Sequence, residues 1–215
     1  MMTEEPDKRI TPDEHYFAST PSSAEKTTDF TIDSSRGPLS MRAGSGVFSQ
    51  HGLDKGTSVF LEVMAKHDCA PIEPGSFLCD IGCGSGAIAL TLAVRYPACT
   101  IYAVDTNQRA RDICRENATR NGLGNIVVLS PEEIDPKIRF AALWSNPPIR
   151  IGKSALHELL ELWLARLDAG GTAYLVVNKN LGADSLSQWM TDLSYPTTRL
   201  ASRNGFRVLE VKTTR

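Results

Sequence analysis

The stretch Ser76–Asn107, SFLCDIGCGSGAIALTLAVRYPACTIYAVDTN, decides how the rest of the chain is read. It opens on an apolar run, Phe77 to Ile81, that is short and bulky enough for a buried strand. Glycines then alternate with single residues at Gly82, Gly84 and Gly86, and a helix-forming segment from Ala87 to Tyr96 follows at once. A second apolar run, Thr100 to Val104, ends on Asp105. Strand, glycine turn, helix, strand is the order of a parallel βαβ unit. Its glycines permit a tight turn and let a ligand approach the backbone closely.

The spacing narrows the ligand. Gly82, Gly84 and Gly86 give GxGxG, whereas a dinucleotide pyrophosphate resting on a helix N-terminus favours GxGxxG. Asp80, just ahead of the glycines, would repel a pyrophosphate and suits a cationic group. Asp105 stands where an acidic residue grips a ribose diol, a feature common to nicotinamide and S-adenosylmethionine sites. The competing explanation, that both acids merely cap helices or solvate turns, loses weight in this strand–turn–helix setting.

Outward from the motif, the alternation continues. A helix is expected from Gln108 to Asn121, stopped by Gly122, then strands at NIVVL and FAALWS. A helix from Ala155 to Leu167, a break at Gly170-Gly171 and the strand TAYLVV follow. TTRLAS and FRVLEVK flank Arg203-Asn204-Gly205, and Asn-Gly between two such runs marks a hairpin. Toward the N-terminus, a helix runs from Leu53 until Pro71 stops it. DFTID and PLSMRAGSGVFS form a hairpin around Arg36-Gly37-Pro38. The expected fold is α/β: a doubly wound, Rossmann-like, seven-stranded mixed sheet with a C-terminal antiparallel hairpin and helices on both faces. Residues 1–27 read as a polar, poorly ordered arm and 28–215 as one domain, of which 28–52 is the N-terminal hairpin and a segment covering the ligand.

Composition sets the outer limits. At 215 residues, 41% hydrophobic and 22% charged, the chain suits one globular domain, with no apolar run long enough for a bilayer and no signal-peptide pattern. The five cysteines show no CxxC pairing and no metal-ligand spacing, so a reduced, cytoplasmic setting without metal is expected. Residues 141–215 carry nine basic against six acidic residues although the whole chain has a net charge of −2. That hints at a basic face but not at electrostatic binding of long nucleic acid. A monomer or weak dimer is expected.

The second chemistry-bearing stretch is SNPPIRIGK, Ser145 to Lys153. Proline fixes φ and brings no N–H, so an Asn-Pro-Pro turn after a strand holds rigid acceptors: the Asn146 side-chain carbonyl and the Pro147 backbone carbonyl. Two fixed acceptors aimed at the N–H groups of an exocyclic amine favour the pyramidal nitrogen whose lone pair can attack, without reorganisation as charge develops. An ordinary strand-ending turn is the bland alternative.

DIGCGSG, AVDTN and SNPPI, in this order and on these strands, resemble class I S-adenosylmethionine-dependent methyltransferases. GVFSQHGLDKGT, SNPPIRIGKSALHELL and the closing hairpin resemble, more narrowly, the small-domain members related to the ribosomal RNA guanine-N2 enzymes, from about residue 30 onward. A single copy of the domain, without the duplicated N-terminal half of the larger members, is expected. The resemblance implies S-adenosylmethionine as cofactor, held by Asp80, Gly82, Cys83, Gly84 and Gly86. Asp105 and Thr106 would lie at the ribose, Glu132 near the adenine (helix-start chemistry explains Glu132 and Glu133 equally well), and Phe48 as a cover or a core aromatic. It implies Asn146, Pro147, Pro148 and Ile149 as the catalytic turn, although the family usually carries a base-stacking aromatic where Ile149 stands. The motif marks methylation of nitrogen, so guanine N2 of ribosomal RNA is the expected target. Protein glutamine or a small molecule is the alternative, and an NAD-dependent oxidoreductase a remoter one. Arg150 and Lys153, with Arg199, Arg203 and Arg207 on the hairpin, could line an RNA-facing rim or simply form a solvated face. His157 reads as surface or packing.

Overall fold

The computed structural model describes residues 27–47, 52–148 and 151–214. Seven strands form one sheet: β3 (Phe77–Ile81), β4 (Thr100–Val104), β5 (Ile126–Leu129), β6 (Phe140–Ser145), β7 (Leu167–Asn178), β8 (Thr197–Arg203) and β9 (Phe206–Lys212), in the order β5-β4-β3-β6-β7-β9-β8. The first five positions are parallel, whereas β9 pairs antiparallel with β7 and with β8. Apolar residues on both faces of these strands explain the parallel core, because helices must cover each side. α1 (Lys55–Met64), α2 (Ala87–Arg95) and α3 (Gln108–Arg120) pack on one face around Phe60, Leu78, Leu90 and Trp144. α4 (Lys153–Leu164) and α5 (Ala183–Asp192) cover the other around Phe140, Leu160, Trp163 and Met190.

The hairpin of β1 (Thr27–Ile32) and β2 (Leu39–Gly44) is a separate two-stranded sheet lying against α3. Asn117, with no exposed surface, ties the two together: its Oδ1 accepts from the Arg42 N–H (2.8 Å) and its Nδ2 donates to the Arg42 carbonyl (2.9 Å). The side-chain amide thus satisfies both backbone groups of Arg42, as a neighbouring strand would.

Several boundaries differ from expectation, among them α1, which starts at Lys55 and ends at Met64, well before Pro71. α4 spans Lys153–Leu164 rather than Ala155 to Leu167, with Gly152 as its N-cap, and β7 begins at Leu167 rather than after the glycine pair. Gly170-Gly171 is an irregularity within the strand, where the pairing of β6 with β7 shifts register. A Cβ at Gly171 would lie 2.9 Å from the Asp168 carbonyl oxygen and 3.1 Å from that of Ala141, so only glycine lets the strands close there.

The chain runs outward from β3 through β4 and β5, then crosses back to place β6 on the other side of β3. Ligands of open α/β sheets bind where strand order reverses in this way, outside the carboxyl ends. Here that crevice lies between the turns that leave β3 and β6.

Candidate active site

Ile81 and Ser145 pair at the ends of β3 and β6, and the buried Ser145 hydroxyl donates to the Ile81 carbonyl at 2.7 Å. Gly82 and Asn146 therefore leave the sheet side by side. The turn after β3 is fastened to β4, since the N–H groups of Gly82 and Cys83 both donate to the Val104 carbonyl (2.8 and 2.9 Å). Gly82, Gly84 and Gly86 have φ of 72°, 54° and 90°, left-handed backbone that a side chain would strain. A Cβ at Gly82 or Gly84 would touch nothing within 4 Å, so the backbone there faces open space. At Gly86 it would meet the Cys114 Sγ at 2.6 Å, so this third glycine also serves packing against α3.

Asp80 is fully buried beneath that turn. Its Oδ2 accepts from the Ala89 N–H at 3.0 Å, capping the start of α2 in place of an N-cap side chain, while its Oδ1 has no partner. Burial pushes its carboxyl up to about 8, with the Ala89 N–H pulling the other way and the Asp105 charge adding to the rise. Asp105 is itself raised by burial, against the N–H groups of Asn107 and Gly84. Its Oδ2 accepts from Gly84 and its Oδ1 from Asn107, both at 2.9 Å. Arg111 braces the same corner by donating to the carbonyls of Asp105 (2.7 Å) and Thr106 (3.0 Å). Thr106 is exposed. Glu132 is exposed on the 3-10 turn Pro131–Glu133, where Glu133 rather than Glu132 completes a capping box with Ser130. Backbone N–H and the Ser130 hydroxyl hold Glu132 below the usual carboxylate range.

Asn146 faces the glycine turn across a cleft of ≈ 380 Å³, counted out to its open mouth, which Asp54, Thr57, Cys83 and Ser85 also line. The Asn146 Nδ2 donates to the Asp54 Oδ2 (2.9 Å) and the Thr57 Oγ1 (3.0 Å). Pro147 is buried, and the Pro148 carbonyl accepts from the Ile151 N–H (3.1 Å), which closes the turn. Asp105, Thr106 and Glu132 stand at the ends of β4 and β5, outside this cleft and along the same sheet edge. Phe48, Ile149 and Arg150 lie outside the described residues.

The basic rim is not the row of free cations that the sequence suggested. Arg207 is only 7% exposed and pairs with Asp184, because it points from β9 under the start of α5, and Arg203 pairs with Glu62 at 3.0 Å. Lys153 opens α4, exposed beside the Asn-Pro-Pro turn, and Arg199 is also exposed. His157 packs, its ring stacked on Trp189 at 3.7 Å. Among the described residues no cluster of His, Cys, Asp or Glu could hold a metal, and no helix is long and apolar enough to cross a membrane.

A parallel sheet with a glycine turn at its switch point and an Asn-Pro-Pro turn beside it is an arrangement for holding a small cofactor against a second molecule. The family match is specific: residues 38–210 match the methyltransferase small domain, and the chain belongs to that family of methyltransferases. An uncharacterised Bacillus subtilis protein, YbxB, is 29% identical over 93% of this chain and 98% of its own length. The ribosomal RNA small subunit methyltransferase C of Stutzerimonas stutzeri is 33% identical over 83% of this chain but 52% of its own. The chain thus spans about half the length of the ribosomal RNA methyltransferases it matches. Among solved structures, the Thermus thermophilus 16S rRNA N2 G1207 methyltransferase, in complex with AdoMet and guanosine, superposes with a TM-score of 0.74 at 21% identity, over 87% of this chain and 50% of that one. A ribosomal protein L11 methylase from Lactobacillus delbrueckii superposes at 0.61 with 18% identity, over 76% and 81% of the two chains.

Sequence reading missed Asp54, Thr57 and Asn117. Asp54 ahead of a helix carries the signature of an N-cap, which it also is, accepting from the Thr57 N–H at 3.0 Å. Nothing local announces its bond to a residue 92 positions away. Asn117 reads as one more polar residue of a helix, yet its Nδ2 also donates to the Ser85 carbonyl (2.9 Å) and so steadies the glycine turn.

Proposed function

We propose that this protein uses S-adenosylmethionine to methylate an exocyclic amino nitrogen of RNA, with N2 of a guanine in ribosomal RNA as the target. The buried Asp80 oxygen without a partner, the open backbone at Gly82 and Gly84 and the Asp105 carboxylate fit a ligand that combines positive charge with a ribose. Gly82, Cys83, Gly84 and Gly86 would hold it with Asp80 below, Asp105 and Thr106 at the sugar and Glu132 toward the base. When bound, the cofactor supplies a methyl group already activated on a positively charged sulfur.

The chain itself has then to bind, orient and dry the substrate nitrogen. One observation carries this reading. The Asn146 amide spends both of its N–H groups on Asp54 and Thr57, which leaves its carbonyl oxygen for the cleft it forms with the glycine turn. With the Pro147 carbonyl it can accept the two N–H groups of an amine and hold the nitrogen lone pair in line. Lys153 beside the turn can contact an RNA phosphate. Support for RNA comes from the ribosomal RNA methyltransferases at 33% identity. Support for a cytoplasmic location comes from five free cysteines among the described residues.

Purified protein incubated with radiolabelled S-adenosylmethionine and, separately, ribosomal RNA, ribosomal subunits and protein extract tests the proposal. Label is expected in RNA, released on digestion as N2-methylguanosine. Asn146→Ala should lose it by about 100-fold or more while still binding the cofactor. Label confined to protein would overturn the RNA reading in favour of glutamine nitrogen.

A further inference from the structure

We propose that Asp54 and Thr57 set the polarity of the Asn146 amide, so that the cleft admits a substrate nitrogen carrying N–H and turns away an atom offering only a lone pair. The inference rests on the amine reading above and deepens it: it names the residues that make the site choose.

An amide side chain has one accepting and one donating end, and rotating it by half a turn exchanges them. In this protein the exchange is blocked by what faces it. An ionised carboxylate accepts and cannot donate, and the Asp54 Oδ2 lies 2.9 Å from the Asn146 nitrogen. Reversal would set the amide oxygen against that carboxylate oxygen, two acceptors in contact with no proton between them. The carboxylate is fixed in turn, because the same Oδ2 accepts from the Thr57 N–H at 3.0 Å in the first turn of α1. The Thr57 hydroxyl, 3.0 Å from the same nitrogen, engages the donating end as well. Gly56 makes room for the arrangement. A Cβ there would lie 2.9 Å from the Asp54 Oδ2, 2.9 Å from the Phe206 Cε1 and 3.3 Å from the Asn146 Nδ2.

The cleft is therefore presented with the amide oxygen alone. Such a site favours an exocyclic amino group over a ring nitrogen without hydrogen or a carbonyl oxygen, each of which would leave the acceptor unpaired. Rejection of this kind becomes steep when a bound substrate shuts the half-buried Asn146 oxygen off from water. Asp54 and Thr57 are positioning residues and need not touch the substrate.

Asp54→Ser and Asp54→Thr test this, since Ser and Thr also cap helices. Either side chain is too short to reach the Asn146 amide from the cap, which leaves the amide free to turn round. Both variants should keep thermal stability and cofactor KM near those of the parent yet lose about 10-fold or more in kcat for guanine-containing RNA. Thr57→Val, which leaves Asp54 in place, should lose about 10-fold, and Thr57→Ser should recover it. A readout independent of turnover is the Asn146 side-chain amide in a nitrogen-15 NMR spectrum, identified by its disappearance in Asn146→Ala. Its protons should exchange slowly in the parent and quickly in Asp54→Ser. Unchanged turnover in both Asp54 variants, or an unchanged amide signal in Asp54→Ser, would overturn the proposal and leave Asp54 a helix cap only. A parent protein that methylates no RNA but shows the slow amide, lost in Asp54→Ser, would support the polarity and overturn only the choice of RNA.

Discussion

Replacing Asp80 by Asn should make the cofactor-free protein more stable at alkaline pH and leave it nearly unchanged at acid pH. Asp80 has an ordinary pKa of 3.8 in the unfolded chain and is pushed up to about 8 in the fold, burial being the chief cause. Below 3.8 the carboxyl is protonated in both states and contributes no pH dependence. From there to about 8 the unfolded chain has released the proton and the fold retains it, so stability falls as pH rises, by ~1.4 kcal/mol per unit. Above about 8 the folded group ionises too and the loss is complete. Taken over the whole interval this is ~6 kcal/mol, and relaxation around a buried charge reduces the realised cost to ~2–4 kcal/mol.

Asn matches the protonated carboxyl in shape, can still accept from the Ala89 N–H, and carries no charge at any pH. The Cys79 thiol, raised by burial, and the Cys83 thiol, raised by its hydrogen bond with Cys114 and by burial, stay neutral through the range, so the difference reports Asp80 together with its coupling to the Asp105 charge. Urea unfolding of both proteins from pH 5 to 8.5 should show the stability advantage of the Asn variant growing by ~2–4 kcal/mol between the two ends of the range. A difference that stays flat across that range, or a less stable Asn variant at pH 8.5, would refute the account. It would mean that Asp80 is ionised and satisfied in the fold. The gain should be reversed by the cofactor, whose affinity for the Asn variant should fall because the acidic partner is gone.

Other substitutions probe the scaffold. Gly86→Ala forces a left-handed alanine at φ 90° against the Cys114 sulfur and should cost ~2–4 kcal/mol in urea unfolding. Gly56→Ala gains up to ~1 kcal/mol of helix propensity but crowds Asp54 and Asn146, so transfer should fall at least ~10-fold while stability changes by less than ~1 kcal/mol. Asn117→Ala strips partners from the Arg42 backbone and the Ser85 carbonyl and should cost ~2–3 kcal/mol. Hydrogen exchange should then rise in β2 and the glycine turn together, whereas exchange confined to α3 would contradict the proposed tie.

The architecture was legible wherever the signal is local. A buried parallel strand shows as an apolar run, and the glycine alternation marks a turn whose backbone only glycine adopts freely. Asn-Gly announces the β8–β9 hairpin by the same kind of rule, and both central residues do have positive φ. The glycine pair before TAYLVV misled for the opposite reason. A loop and a bulge have the same composition, and only the Asp168 and Ala141 carbonyls, brought close by β6 and by the bend itself, make this one a bulge. Arg207 misled similarly, since its burial comes from α5 folding over it rather than from its own neighbours in the chain.

Order, periodicity and turn chemistry along the chain were enough to determine a doubly wound sheet and the two turns at its ligand-binding edge, because each depends on residues a few positions apart. The partners of the Asn146 amide, the roof over Arg207 and the unsatisfied oxygen of Asp80 were decided only when the helices docked. Hydrogen-bond polarity and desolvation depend on which groups end up face to face, and α1 meets the end of β6 only in the folded sheet.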